Sequence, residues 1–334
     1  MAETTAAVIG AGAWGTALAT MLAQSGRRVT LCVRRAAHLA ALTETRENSA
    51  YLPGIKLPAS LHLTDRWELA VADADFVVVV TPSRFARQAV SRIATALRPG
   101  VTIVSATKGI EEDSLKTMTA MLAEFAPASA GFAVLSGPGF AAEIARGKPA
   151  ALVAASRDEA VAHRVQQLLS GHSLRIYRSN DVIGVELGGA IKNVIGIAAG
   201  VSDGLELGLS ARAALITRGV AEMTRLAVAL GAQRETMAGL AGLGDLVLTC
   251  TGNISRNYTL GLRLTSSRFD MLAESGEGKP VAEGIANACS IKRLAEREAV
   301  EMPIVSAVYR CLYEGSSPTA MVEELLSREL KAEF

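Results

Sequence analysis

The feature that most constrains the fold is a glycine-rich loop close to the N-terminus. The stretch "VIGAGAWGTALA" places Gly10, Gly12 and Gly15 in the spacing G-x-G-x-x-G. An apolar run typical of a strand precedes the loop, and helical spacing follows it as far as Gly26, a suitable C-cap. In that context the first glycine permits a tight turn, the second lets a pyrophosphate approach the backbone, and the third allows close packing of helix on strand. The loop therefore predicts a dinucleotide site, with an ordinary tight turn as the alternative.

Strand and helix patterns alternate from this loop to about Ser179. Apolar, partly β-branched runs typical of strands are "RRVTLCV", "DADFVVVV", "GVTIVSATKG", "GFAVLSG", "AALVAAS" and "SLRIYRS". Helical spacing is found between several of them, in residues 83–97, 112–125 and 158–169. The alternation predicts an α/β fold with a Rossmann-type, doubly wound parallel sheet.

The pattern changes after Asp181, where long helical segments dominate and no convincing strand is found. The segments are 181–200, 210–231, 281–298, 302–314 and 318–331. A chain of 334 residues is long enough for about two domains. We therefore expect a dinucleotide-binding domain in residues 1–180 and an all-α C-terminal domain for substrate and catalysis in residues 181–334.

Composition excludes several classes of function. The net charge is +1 and no basic run is interleaved with aromatic residues, so nucleic acid is not an expected partner. The four cysteines have no CxxC spacing and only four histidines are present, so neither a metal site nor a disulfide framework is expected. No targeting segment or long uncharged apolar stretch is evident, which predicts a cytoplasmic protein without a membrane span. The sequence is also compatible with a homodimer.

The choice of coenzyme is predicted from the end of the second strand. Dinucleotide folds that bind NAD place a carboxylate there, about 20 residues after the last glycine, to bind the ribose 2′-hydroxyl. Nineteen residues after Gly15 the chain has Arg34, followed by Arg35. Arginine pairs with a 2′-phosphate, so the pair favours NADP over NAD. The alternative is two solvated surface arginines.

Ligands of open α/β sheets lie beyond the carboxyl ends of the strands. Lys108 leaves its strand at that edge, where it could hold an anionic substrate or remain a surface lysine. Gly137 and Gly139 flank a proline at the end of another strand, and this turn exposes backbone N–H groups before the segment "FAAEIARG". Both places are candidate anion sites.

A stripe of glycines marks the start of the second domain. Gly184, Gly188, Gly196 and Gly200 follow one another at steps of four or eight in "DVIGVELGGAIKNVIGIAAG", and Lys192 fills the missing position. Glycine within a helix costs roughly 1 kcal/mol relative to alanine, so the stripe needs a reason. One interpretation is a groove that lets substrate and coenzyme approach a buried acid–base lysine. The other is close helix packing, with the lysine reaching solvent.

Several blocks together resemble the bacterial NAD(P)-dependent sn-glycerol-3-phosphate dehydrogenase family. They are "GAGAWGTALA", "NSAYLPGIKLP", "ATKGIE", "LSGPGFAAE", "ELGGAIKNVIGIAAG", "LAGLGDLVLTCTGNISRNY" and "VAEG". The resemblance covers nearly the whole chain and implies reversible reduction of dihydroxyacetone phosphate to glycerol 3-phosphate, for phospholipid synthesis.

The resemblance also implies roles for individual residues. It makes Lys192 the proton donor and acceptor. It places at the substrate Lys108, Gly137, Gly139, Asp245, Ser255, Arg256 and Asn257. It places at the coenzyme, besides the glycine loop, Trp14, Arg34, Arg35, Lys108, Ala141, Arg256, Val281 and Glu283.

This chain departs from the family pattern at two positions. The family often has Ser at the position of Ala13, and Ser or Thr at that of Gly139, so a hydroxyl contact to ligand is missing at each. Two alternatives stay open. One is a 3-hydroxyacid dehydrogenase, although such enzymes usually carry an asparagine four residues after the lysine, where this chain has Gly196. The other is a non-catalytic NADP-binding sensor.

Overall fold

The structure is a computed structural model that describes residues 4–171, 173–266, 282–330 and 332–333. Its strands form one eight-stranded sheet in the order β3-β2-β1-β4-β5-β6-β7-β8. Their bounds are β1 (Thr5–Ile9), β2 (Arg28–Cys32), β3 (His62–Thr64), β4 (Phe76–Val79), β5 (Thr102–Ser105), β6 (Gly131–Ser136), β7 (Ala150–Ala155) and β8 (Leu174–Ser179).

The helices of the sheet-containing part are α1 (Ala13–Gln24), α2 (Ala36–Thr45), α3 (Trp67–Ala72), α4 (Ser83–Ile93), α5 (Met118–Leu122), α6 (Ala141–Ala145) and α7 (Glu159–Leu169). The described helices of the C-terminal part are α8 (Val182–Gly204), α9 (Gly208–Ala229), α10 (Arg234–Ala238), α11 (Asp245–Cys250), α12 (Arg256–Leu264), α13 (Glu283–Arg297), α14 (Pro303–Tyr313) and α15 (Pro318–Leu326). A 3₁₀ turn covers Ala94–Ala96, and a π-helical turn covers Leu240–Gly244.

The sheet is buried on both faces, as its apolar strands predict. In β1, Ala6 and Val8 belong to one apolar cluster, while Ala7 and Ile9 belong to another on the opposite face. Successive side chains of a strand point to opposite sides, so helices must cover both faces. The predicted α/β architecture followed by a helical part is confirmed, and no strand is found among the described residues beyond β8.

One strand connection differs from the predicted parallel sheet. Strands β6 and β7 pair antiparallel, whereas β7 and β8 pair parallel to each other. The link between β6 and β7 contains only the five-residue helix α6. A helix of that length spans about 7–8 Å, too little to cross the sheet and return the chain to its other end. The sheet is therefore mostly, not wholly, parallel.

The helix predicted over residues 112–125 is also shorter than expected, because only α5 forms. Leu115 has a left-handed backbone with φ of 56°, and Ile110 pairs with Thr117 in an antiparallel bridge. Glu111 receives two hydrogen bonds from the guanidinium of Arg87 and one from the hydroxyl of Ser114, which holds this loop against α4. Side-chain bonds to a distant helix thus replace the first helical turn.

Helix α8 forms the centre of the helical part. It packs against the helices from α9 to α14, and most of its side chains are fully buried. Within the described residues it alone is long and apolar enough to cross a membrane by length and composition, but 83% of its most apolar window is buried inside the protein. The helix is thus the core of this part of the fold.

The glycine stripe on α8 serves helix packing, so the groove interpretation is wrong for these positions. A Cβ at Gly188 would lie 2.4 Å from the carbonyl oxygen of Ala241, and a Cβ at Gly200 would lie 2.0 Å from that of Tyr258. The backbones of neighbouring elements therefore rest directly on the stripe. The packing alternative also expected Lys192 to reach solvent. That expectation is wrong, because Lys192 is buried and only 9% exposed.

Candidate active site

The glycine loop has the geometry that a dinucleotide requires. Gly10 has φ of +122°, and a Cβ there would lie 2.8 Å from the carbonyl oxygen of Val80. A Cβ at Gly15 would lie 1.9 Å from the carbonyl oxygen of Gly10, so α1 packs tightly on the turn. At Gly12, in contrast, no atom of the described residues lies within 4 Å of an added Cβ, and none of their side chains caps the N-terminus of α1. The open space in front of free helix N–H groups fits a pyrophosphate.

Trp14 and Ala141 lie together beside this loop. Trp14 packs on the same small apolar cluster as Ala141, which opens α6. The indole Nε1 of Trp14 is buried and has no hydrogen-bond partner among the described residues. Both positions, assigned to the coenzyme by resemblance, therefore border the dinucleotide loop.

Arg34 and Arg35 follow β2 and are exposed. The guanidinium of Arg34 lies 5.3 Å from the ring centre of Phe85, and that of Arg84 lies 4.7 Å from the same ring. Arg35 donates from Nη2 to the hydroxyl of Tyr51 at 2.9 Å. The contacts with Phe85 and Tyr51 hold the two guanidinium groups beyond the end of β2, where a 2′-phosphate would lie.

Two lysines meet at one buried carboxylate between the two parts of the chain. Lys192 donates from Nζ to Oδ1 of Asp245 at 2.8 Å and to the hydroxyl of Thr249 at 2.7 Å. Lys108 donates from Nζ to Oδ2 of Asp245 at 2.5 Å and to the carbonyl oxygen of Gly137 at 3.0 Å. We call Lys108, Lys192 and Asp245 the lysine–aspartate cluster. It lies at the carboxyl edge of the sheet, where β5 and β6 end.

The charges of the cluster suit an anionic substrate. Two ammonium groups and one carboxylate leave a net charge of +1, and Asp245 is 1% exposed. Burial lowers the pKa of Lys108 from 10.5 to about 8, a shift that the attraction of Asp245 opposes and repulsion from Lys192 reinforces. Each ammonium has three N–H donors. Lys108 uses two of them for Asp245 and Gly137, and Lys192 uses two for Asp245 and Thr249. A donor on each lysine remains for a ligand.

A second group of predicted substrate residues surrounds the start of α12. The hydroxyl of Ser255 caps this helix by accepting from the backbone N–H of Tyr258 at 3.3 Å, and Arg256 is exposed at the first helical position. The side chain of Asn257 is 8% exposed and lies within the protein. Its Nδ2 donates to Oδ1 of Asn193 at 2.8 Å, and its Oδ1 accepts from the N–H of Gly284 at 2.9 Å. Asn257 therefore ties α12 to α8 and α13.

The remaining predicted positions are spread around these two centres. Glu283 opens α13 and accepts from the hydroxyl of Ser83 at 3.2 Å; burial raises its pKa to about 7, although Arg256 pulls it down. Gly137, with φ of +132°, directs its carbonyl to Lys108. A Cβ at Gly139 would lie 2.7 Å from Cδ1 of Ile144, so the backbone there leaves little room for a side chain. Val281 lies outside the described residues.

Sequence reasoning missed three residues that contact the cluster or its backbone. Thr249 accepts from Lys192 and donates to the carbonyl oxygen of Asp245 at 2.7 Å. Asn193 and Asn287 donate to the carbonyl oxygen of Lys108 at 3.3 and 3.0 Å. The spacing of Thr249 from Asp245, one helical turn, could have indicated that they share a face. Nothing local indicates the role of Asn287, which is 179 positions from Lys108.

The fold and site together define a dinucleotide-binding dehydrogenase with a helical part that completes the site. Family models for the N-terminus and the C-terminus of NAD-dependent glycerol-3-phosphate dehydrogenase match residues 5–162 and 181–323. The chain belongs to this family and is an NAD(P)-dependent oxidoreductase.

Similar proteins cover the chain almost completely. It is 52% identical to the glycerol-3-phosphate dehydrogenase [NAD(P)+] of Geobacter sulfurreducens and 51% identical to that of Geobacter metallireducens, with 98% of each chain aligned. The solved structure of glycerol-3-phosphate dehydrogenase from Coxiella burnetii has a TM-score of 0.93 at 38% identity, and the match covers 98% of this chain and 99% of that one.

Proposed function

We propose that the lysine–aspartate cluster carries out the family reaction, the reversible reduction of dihydroxyacetone phosphate to sn-glycerol 3-phosphate. The observation that carries the proposal is that Lys192 and Lys108 bind the two oxygens of Asp245, at the same edge of the sheet as the dinucleotide loop. The chemistry requires a proton on the carbonyl oxygen as a hydride reaches the carbon. The nicotinamide coenzyme supplies that hydride when bound.

Lys192 is the proton donor in this scheme, and the proton acceptor in the reverse direction. Its bonds to Asp245 and Thr249 fix two N–H groups, so the third is held in one direction. A fixed donor about 2.6–3.2 Å from the developing alkoxide protonates it without a search for geometry. Asp245 orients the amine and keeps a positive charge tolerable in a buried place.

Lys108 and the start of α12 bind the rest of the substrate. Lys108 contributes its free N–H to an oxygen of the substrate, and Arg256 presents a planar set of donors that matches a phosphate. Ser255 and the turn at Gly137 and Gly139 add neutral donors. Asn257 contributes through the helix N-terminus, because its side chain is committed to Asn193 and Gly284.

The coenzyme in this proposal lies along the loop from Gly10 to Gly15, beside Trp14 and Ala141. The proposal also assigns Lys108, Arg256 and Glu283 to the coenzyme site, together with Val281, for which the resemblance is the sole support. Arg34 and Arg35 favour NADP, and NAD remains usable because the pyrophosphate seat is shared by both coenzymes. The division into domains 1–180 and 181–334 follows the same logic, with one domain for coenzyme and the other for substrate.

One comparison of substrates tests the reaction. NADPH oxidation is measured with dihydroxyacetone phosphate and with unphosphorylated dihydroxyacetone, and NADP+ reduction is measured with a 3-hydroxyacid. The proposal predicts turnover of the phosphorylated ketone far above that of the other two, and a smaller margin between the two ketones in Arg256→Ala. Preference for the hydroxyacid would favour that class of dehydrogenase, and tight NADPH binding without any turnover would favour a sensor.

The proposal includes supply of glycerophospholipid synthesis, a cytoplasmic location and a homodimer. Exposed apolar residues around the N-terminus of α9 support the dimer, since Leu207 is 42% and Leu209 is 72% exposed. Light scattering on Leu209→Asp, compared with the unaltered protein, checks it. A dimer of unchanged stability in this variant would exclude that face.

A further inference from the structure

A fully buried asparagine links the backbone of Lys108 to the helical part. Asn287 lies one turn after Glu283 on α13 and is 0% exposed. Its Nδ2 donates to the carbonyl oxygen of Lys108 at 3.0 Å and to that of Ala190 at 3.1 Å. One amide group thus joins α13, the centre of α8 and the turn that follows β5.

The oxygen of this amide has no hydrogen-bond partner in the part of the chain that the structure describes. Oδ1 of Asn287 is buried without a hydrogen bond from any described residue, and a Cβ at Gly109 would lie 2.9 Å from it. An unpaired buried acceptor is destabilising, and an apolar side chain of similar size would avoid that cost. The two donated bonds are therefore what the amide contributes here.

The carbonyl of Lys108 is held from two sides. Besides Asn287, Asn193 donates to it from Nδ2 at 3.3 Å. Lys108 lies three positions beyond the end of β5 and is followed by a glycine, so the strand alone does little to restrain its backbone. Its ammonium must nevertheless reach both Asp245 and the carbonyl of Gly137.

We propose that Asn287 is a positioning residue for Lys108. By holding the carbonyl of Lys108 against α8, it sets where the Lys108 ammonium lies relative to Asp245 and to the substrate. The inference rests on the proposed substrate role of Lys108. Asn287 itself is enclosed by protein and acts through the lysine.

Two variants and a matched control test this placement. Asn287→Ala removes the donors, and Asn287→Leu removes them while filling the space and eliminating the unpaired oxygen. Ser290→Ala is the control, because Ser290 is 1% exposed on the same helix and, among the residues that the structure covers, its hydroxyl bonds only to carbonyls of α13. We expect both Asn287 variants to raise KM for dihydroxyacetone phosphate about 5- to 10-fold, the worth of one or two hydrogen bonds. The NADPH Kd and the Ser290→Ala kinetics should change less than twofold.

A double-mutant cycle with Lys108→Met separates positioning from general damage. If Asn287 acts through Lys108, then Asn287→Leu should change KM less than twofold in the Lys108→Met background. An equal loss in both backgrounds, or a normal KM in Asn287→Leu, would overturn the inference while leaving the proposed function intact. A normal KM in Lys108→Met itself would instead contradict the proposed role of the lysine.

Discussion

Lys192 and Asp245 form a buried ion pair in which Nζ lies 2.8 Å from Oδ1, although the residues are 53 positions apart. Helix α8 supplies the lysine, and the carboxylate begins α11 directly after the π-helical turn Leu240–Gly244. The second oxygen of Asp245 binds Lys108 from the other part of the chain. One carboxylate therefore fixes both ammonium groups, and a change at either lysine should alter the chemistry in a distinct way.

Lys108→Arg should change the pH dependence of substrate binding. The pKa of Lys108 is lowered to about 8, mainly by burial, so the ammonium is charged below pH 8 and loses its proton as the pH rises through that value. We expect kcat/KM for dihydroxyacetone phosphate to fall above about pH 8. Arginine stays charged over this range, so the variant should lose that fall even if its plateau is lower.

The measurement is kcat/KM between pH 7 and pH 10, with Lys116→Arg as control. Lys116 is exposed and bonds to Glu124 on the surface, so its profile should match the unaltered enzyme. An alkaline fall that persists unchanged in Lys108→Arg would show that another group causes it.

Arg34→Asp combined with Arg35→Ala should reverse the coenzyme preference. The unaltered enzyme should prefer NADPH over NADH by about tenfold or more, because arginine pairs closely with a 2′-phosphate. The double variant should lose NADPH affinity and keep or improve NADH use. Measured at two ionic strengths, the NADPH preference should weaken with added salt, because both arginines are exposed. A wild-type preference for NADH, or an unaltered ratio in the variant, would refute the assignment.

Two glycine-to-alanine changes should have opposite consequences. Gly12→Ala adds a Cβ that has no neighbour within 4 Å in the described part of the chain. The melting temperature should therefore stay unchanged, while the Kd for NADPH and for NADH should rise tenfold or more. Gly200→Ala forces a Cβ within 2.0 Å of the carbonyl oxygen of Tyr258, a backbone atom. Overpacking of about 3 kcal/mol should lower the melting temperature by roughly 6–12 °C.

Thermal unfolding and fluorescence titration with each coenzyme measure both effects. Gly252→Ala is the control, since the nearest atom to its added Cβ lies 4.0 Å away. A thermally unchanged Gly200→Ala with a raised substrate KM would restore the groove interpretation of the stripe.

The architecture could be predicted because it depends on local patterns. The loop at Gly10, Gly12 and Gly15 and the run of buried strands each carry their own periodicity, so the α/β sheet and the helical part followed from them. The antiparallel pairing of β6 with β7 could not be predicted in this way, because the direction of a strand depends on how far its connection reaches across the sheet. The loop around Leu115 was missed because bonds from Arg87 override its helical pattern.

The candidate site could be assembled from the sequence only in part. The family resemblance assigned Lys108, Lys192 and Asp245 to the same site, and in the structure their charged atoms form ion pairs. The meaning of the glycine stripe required knowledge of which backbones rest on α8. The role of Asn287 could not be predicted from the sequence. Its two acceptors are backbone carbonyls of residues far away in the chain, and no sequence pattern indicates such contacts.

Proton transfer by Lys192 can be tested by single-turnover reduction of dihydroxyacetone phosphate in the Lys192→Ala variant. The reaction is followed by NADPH absorbance after the Kd for NADPH has been shown to be unchanged in the variant. If Lys192 is the proton donor, the rate should be about 10²- to 10⁴-fold below that of the unaltered enzyme, the usual contribution of a positioned acid–base group. A rate within a few-fold of the unaltered enzyme would contradict it.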